Sequence, residues 1–239
     1  MAATRKTFRR FTLQEYIDQM LRPVVGKVRF SEIHVHGTWK PTIADFRRDG
    51  GLKLVQAMWR FHTGTQGWSD IAQHATIDPD GYIWEGRSLL VPPASATGYN
   101  DSDPDGVHPF MFEMIGNFDV GQEKLEGAQL ETAAGLCRAI MTMWNLGPEK
   151  IRFHREFTNQ KTCPGSGINK AWFVAQVMAY GTKEAKPKMD QKDAEKIIKI
   201  LQAHYGVVAE LAGTKVANQI TEFRRLANEI RKVAGLPLQ

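Results

Sequence analysis

The chain is read as an α/β protein, with a mixed central β-sheet flanked by helices on both faces and a small, mainly helical C-terminal unit. Three observations predict this. Short β-branched and apolar runs alternate with segments of helical periodicity, the pattern of a mixed sheet covered by helices. Asp78-Pro79-Asp80-Gly81 separates two of those runs, and Asp-Gly tolerates the positive backbone angles that a tight hairpin needs. Beyond Gly181, a polar stretch interrupted by proline precedes residues whose apolar positions recur only at helical spacing.

In chain order, Leu13–Leu21 is predicted as a short helix and Val28–His36 as the first strand of the core. Leu54, Val55, Met58, Trp59 and Phe61 give Leu52–His62 one apolar face, hence a second helix. Ile71–Ile77 and Tyr82–Glu85 are the arms of the hairpin, and Phe110–Ile115 is a further strand. Gly127–Asn145 is a long helix, Ile151–His154 a short buried strand, and Asn169–Gly181 a helix that closes the domain. The expected organisation is a main domain over residues 1–182, a linker over 183–189 and a second unit over 190–239. In that unit Ala194, Ile197, Ile198, Leu201 and Tyr205 form one apolar stripe, and Val216, Ile220, Phe223, Leu226, Ala227 and Ile230 another. Roughly fifty residues barely close a core alone, so both stripes need a surface to cover.

Composition narrows the class. With 239 residues and ordinary apolar content, the chain has room for one well-buried core and an appendage. Its two cysteines, Cys137 inside a helical pattern and Cys163 beside a proline, do not suggest a disulfide framework. The basic N-terminus leads into an amphipathic segment without an apolar signal core, and no run approaches membrane-spanning length, so cytoplasmic synthesis without a signal peptide is expected. The net charge of +5 is too modest to identify a partner.

Chemistry concentrates in two places. Ile33-His34-Val35-His36-Gly37-Thr38-Trp39 alternates β-branched residues with histidines, as in a strand that ends in a turn. His154 and Lys161-Thr162-Cys163-Pro164 bring an imidazole, an ammonium and a thiol to one strand-to-loop edge. Two histidines and a cysteine make three ligands, which leaves one tetrahedral position of zinc open, the arrangement of catalytic rather than structural sites. His34 competes with His36 for the first ligand position, since residues two apart on a strand share a face.

The order His-Gly-Thr-Trp, then Trp68-Ser-Asp-Ile-Ala-Gln-His74, Asp80-Gly81 with Glu85-Gly86-Arg87, and His154 with Cys163-Pro164, resembles the zinc-dependent N-acetylmuramoyl-L-alanine amidases of the type-2 family, which includes phage endolysins and the peptidoglycan recognition proteins. The resemblance spans about Ile33 to Phe173. It implies one Zn2+ per chain held by His36, His154 and Cys163, with His36 preferred to His34 because it directly precedes the small turn residue. It also implies a proton acceptor. Gln73 stands where some members carry a tyrosine and cannot act as a base, whereas Phe112-Glu113-Met114-Ile115-Gly116-Asn117 matches the glutamate version seen in AmpD-like enzymes, which points to Glu113. Lys161 takes the family position of a donor to the oxyanion.

The activity implied is hydrolysis of the amide between N-acetylmuramic acid and L-alanine of peptidoglycan, in an endolysin that acts at the bacterial cell wall after release. Cytosolic recycling of anhydro-muropeptides and recognition without cleavage are the alternatives. The retained Cys163 favours an enzyme, because non-cleaving members usually lose that ligand. Peptidoglycan is the expected partner and anionic wall polymers a further candidate; no nucleic acid is expected. The C-terminal unit is then a wall-binding or self-associating module, or a flap that stabilises the main domain. Trp39, Trp68, Trp84, Tyr99 and Trp172 are candidates to line a groove, and residues 100–107 are read as an irregular surface loop rather than a calcium loop.

Overall fold

The computed structural model describes residues 6–94, 96–158 and 160–181, together with 192, 194–200, 202–203, 225–228 and 230–231. The chain divides into two compact units, Met1–Tyr180 and Gly181–Gln239. In the second, residues 194–200 and 225–228 are helical, and Ala194, Ile198 and Ala227 are buried. The expected linker 183–189 lies outside the described residues, as do Leu201, Tyr205, Val216, Ile220 and Phe223 of the apolar stripes.

The first unit is built on a six-stranded mixed sheet of order β1-β4-β3-β5-β2-β6. Its strands are β1 (Arg10–Phe11), β2 (Arg29–Gly37), β3 (Ala75–Ile77), β4 (Ile83–Glu85), β5 (Val107–Met114) and β6 (Ile151–Phe153). The long strands β2 and β5 run parallel at its centre, β6 runs parallel to β2, and β3 runs parallel to β5 and antiparallel to β4. The β3–β4 hairpin turns where Asp-Pro-Asp-Gly predicts it. Asp78 organises the turn: its Oδ1 accepts from the backbone N–H of Asp80 and of Tyr82 at 3.0 Å each, and its Oδ2 from Trp84 Nε1 at 2.9 Å.

Successive side chains of a strand point to opposite faces, so register assigns each residue to a side. One face presents Ile33 and Val35 of β2, Phe110, Phe112 and Met114 of β5, Ile77 of β3 and Phe153 of β6 to the main core. Helix α1 (Leu13–Tyr16), the 18-residue α4 (Gly127–Trp144) and α5 (Lys170–Ala179) contribute Tyr16, Leu136, Cys137, Ile140, Phe173 and Val177 to the same core. On the opposite face the register sets His36, Glu113, Thr76 and Trp84 side by side across β2, β5, β3 and β4. Helices α2 (Ile43–Asp49) and α3 (Gly51–Arg60) lie on this second side, where Phe46, Leu54 and Ile115 pack together and Val55 and Met58 pack with Trp84.

Several boundaries differ from expectation. β3 begins at Ala75 rather than Ile71, because residues 71–74 turn inward to place His74 and Gln73 in the interior. Helix α1 continues as a π-helical turn over Ile17–Leu21, and α3 does so over Phe61–Thr65. The predicted strand at Ile151–His154 stops at Phe153, and His154 opens a 3₁₀ turn closed by Glu156 Oε2 accepting from the Phe153 N–H at 2.7 Å. Helix α2 was not anticipated. Its signature is a capping box, with the Thr42 side chain accepting from Asp45 N and the Asp45 side chain accepting from Thr42 N. No helix among the described residues is long and apolar enough to cross a membrane.

Candidate metal centre and cleft

α2 and α3 leave the centre of their face open, and a cleft of about 890 Å³ lies over the C-terminal ends of β2 and β5. At its floor His36, His154 and Cys163 each present one ligand atom, all within 4.8 Å of one another. The architecture explains the convergence. His36 is the last side chain of β2 on the cleft face, β6 runs parallel beside β2 so that its continuation carries His154 next to His36, and the loop after it folds back with Cys163. The imidazole centroids of His36 and His154 are 4.5 Å apart, and Cys163 Sγ is 3.6 Å from His36 Nδ1 and 3.4 Å from the Gly37 backbone N.

The loop that delivers Cys163 is pinned by Arg155, whose guanidinium donates to the carbonyls of Gly165 and Ile168 at 2.7 Å each while its backbone N–H donates to the Cys163 carbonyl at 2.9 Å. Asp119 Oδ1 holds the far side of the same loop through Ser166 N at 2.8 Å. The opposing wall is braced by Glu123, whose carboxylate accepts from Ile43 N at 2.9 Å and Asn117 N at 2.7 Å.

The donor set fits a divalent metal. Burial pushes the His36 imidazole well below its ordinary range, with the neighbouring His154 acting in the same direction, and burial likewise brings His154 to about 4. Both rings are therefore neutral near pH 7, the form that binds metal. His36 Nε2 is buried with no hydrogen-bond partner among the described residues. Burial pushes the Cys163 thiol up to about 12, so by itself it stays protonated at neutral pH and is a poor nucleophile. A cation among the three groups reverses that preference and stabilises a thiolate.

Glu113 and Lys161 both line the cleft beside these groups. Glu113, half-buried, is the register neighbour of His36 on one side and Thr76 on the other. Burial pushes its carboxyl up to about 7 against the opposing pull of Lys161. Lys161 itself is exposed at the mouth. Gln73 is fully buried and does not line the cleft; its Nε2 donates to Thr76 Oγ1 at 2.9 Å.

The remaining candidates separate. His34 is fully buried, its Nε2 lies 3.1 Å from Glu32 Oε2, and its ring packs on Phe157 rather than joining the cleft. Of the five candidate groove aromatics, Trp39 and Trp68 line the cleft and three do not. Trp84 is buried against Asp78, Tyr99 stacks on Phe157, and Trp172 lines a separate pocket. Met58, Phe61, His62, Thr97 and Asn117 also line the cleft and were not singled out as site residues. For Met58 and Phe61 the helical periodicity was visible, but an apolar face on a core and one on a cleft read alike.

A family model described as N-acetylmuramoyl-L-alanine amidase matches residues 27–166. Among curated proteins, peptidoglycan-recognition protein SC2 of Drosophila simulans is 30% identical over 117 residues, covering 49% of this chain and 58% of that protein. Human N-acetylmuramoyl-L-alanine amidase is 30% identical over 99 residues, covering 41% of this chain and 16% of that protein. The chain thus spans less than two thirds of either relative. Among solved structures, the amidase LysC from Clostridium intestinale URNW has a TM-score of 0.50 at 24% identity over 63% of this chain and 87% of that one. A Drosophila PGRP-LB variant in complex with tracheal cytotoxin has a TM-score of 0.50 at 20% identity over 78% of this chain and 89% of that one. At these identities the two structures establish a shared fold.

Proposed function

This chain belongs to the N-acetylmuramoyl-L-alanine amidase family, and on that premise we propose that it hydrolyses the amide joining the lactyl group of N-acetylmuramic acid to L-alanine of peptidoglycan, using one Zn2+ held by His36, His154 and Cys163. The observation that carries the reading is the convergence of two neutral imidazoles and a thiol at the floor of a cleft that also contains a carboxylate and an ammonium. When bound, zinc supplies Lewis acidity toward the scissile carbonyl and brings the acidity of water toward neutral pH. Glu113 takes a proton from the attacking water and delivers it to the departing nitrogen of L-alanine. Lys161 Nζ donates to the oxygen that gains negative charge as the carbonyl carbon becomes tetrahedral. Water is thereby split across the C–N bond, leaving a carboxyl on the lactyl group and a free amino group on alanine.

Cys163 and Glu113 in one cleft support an enzyme over a module that only recognises peptidoglycan. We further assign the protein the role of an endolysin acting on intact bacterial walls, a reading supported by the second unit. Recycling of soluble muropeptides is the competing role. The metal assignment is tested by elemental analysis and chelation: one zinc per chain is expected, lost with activity in chelator and restored by zinc, with His36→Ala and Cys163→Ala failing to retain it. Full peptidoglycan cleavage by metal-free protein contradicts the assignment.

A further inference from the structure

Trp39 follows the proposed ligand His36 by three residues and has an unusual backbone. Its φ is +57°, a left-handed conformation that glycine and asparagine adopt readily and a bulky residue does not. The surroundings impose it. The Thr38 N–H donates to the Met114 carbonyl and the Trp39 N–H to the Gly116 carbonyl, each at 3.0 Å, while Thr38 Oγ1 donates to the Pro41 carbonyl at 2.6 Å and accepts from the Gly116 N–H at 2.9 Å. This turn fixes the backbone, yet the indole contributes little to the interior: Trp39 is 61% exposed and no aromatic or cationic group stacks on it among the described residues. It lines the cleft that holds His36, Glu113 and Lys161. A strained position occupied by a large, exposed, rigid aromatic ring is poorly explained by folding and points to a bound partner.

We propose that Trp39 is a substrate-binding residue whose indole stacks on a sugar ring of the glycan strand. The proposal rests on the amidase reading for its substrate class. The bond assigned to this site joins a sugar-borne lactyl group to a peptide, so a saccharide ring must lie within a few bonds of the reacting carbonyl. The C–H groups on one side of a pyranose present an apolar, weakly positive surface that complements the electron-rich face of an indole. A cationic stem residue also packs on an indole, so free stem peptide is the control that separates the two occupants.

Trp39→Gly and Trp39→Phe, made in the full-length zinc-loaded chain, test this. Glycine relieves the backbone, so Trp39→Gly is expected to raise Tm by roughly 2–6 °C. It should weaken binding to peptide-free glycan strands by about tenfold, the loss typical of a well-packed interface aromatic, and leave binding of free stem peptide unchanged. Trp39→Phe, which keeps a ring and the strain, should retain most of the glycan binding and show no gain in Tm. A lower Tm for Trp39→Gly would show that the indole serves the fold and overturn the proposal. So would unchanged glycan binding, a loss confined to stem peptide, or no glycan binding by the wild type. Because binding is read without bond cleavage, failure of the hydrolytic reading shows up separately, as intact peptidoglycan in the presence of protein that still binds glycan through Trp39.

Discussion

At Gly37 a side chain has nowhere to go: a Cβ there would overlap the Pro164 carbonyl and press on Phe118, so the residue after His36 must be glycine for the Cys163 loop to close over β2. Gly37→Ala is expected to lower stability by about 1–3 kcal/mol, the usual range for overpacking, and to weaken zinc binding by displacing Cys163. Denaturant unfolding with and without metal measures both effects. For Glu113→Gln, fold and zinc should persist while turnover falls by about two to four powers of ten, the range for losing a general base. Lys161→Ala should lose about two to three powers of ten, as for one oxyanion donor. Near-native turnover of Glu113→Gln together with inactivity of Gln73→Ala would transfer the base function away from Glu113. The placement of Glu113 and Lys161 beside His36, His154 and Cys163 was legible because chemistry-bearing side chains stood in a recognisable order. Arg155 was not, since three carbonyls gathered from Gly165, Ile168 and Thr162 leave no mark in the sequence near an arginine.

Among elements, the hairpin, β2, β5 and α4 were readable because each carries its own signal, a turn dipeptide or an unbroken period. β1 was not, for two residues hold no period, and its partner strand β4 lies far away in the sequence. The stretch 71–74 reads as strand because it runs into the arm that precedes the Asp-Pro-Asp-Gly turn, but the chain bends there before β3 begins. That bend buries His74 beside β5, where its Nδ1 accepts from Met111 N at 3.1 Å and its Nε2 donates to the Val91 carbonyl at 2.9 Å. Burial lowers its pKa from 6.5 to about 3, with His108, Arg87 and His34 acting in the same direction. Between these values the unfolded chain binds the proton and the folded chain does not. His74 therefore favours the fold fully above about pH 6.5, and that stability is lost as the pH falls toward about 3, by up to about 1.4 kcal/mol per pH unit. His74→Gln should be less stable at pH 7, having lost both hydrogen bonds, yet decline less steeply on acidification. A slope identical to wild type would place the acid sensitivity elsewhere. Burial also lowers the pKa of His34 and of His108, so part of the slope remains in the variant.

For the molecule as a whole, the sheet divides the labour: one face is filled by α1, α4 and α5, and the other is only partly covered, which leaves the cleft over the parallel pair β2 and β5. Helical periodicity and strand alternation reveal that both faces are covered, but not that the second cover is incomplete, because the gap depends on where α2 and α3 end in space. For the second unit, the proposed wall-targeting role predicts that truncation after residue 183 preserves cleavage of soluble muropeptides and weakens binding to intact walls; an insoluble truncation would indicate a stabilising flap instead. The central claim concerns the bond that is cut, and digestion of purified peptidoglycan by the zinc-loaded full-length chain, with product end groups analysed, tests it most directly. The account predicts new L-alanine amino termini and no new reducing sugar ends, whereas new reducing ends, or no new ends at all, would contradict it.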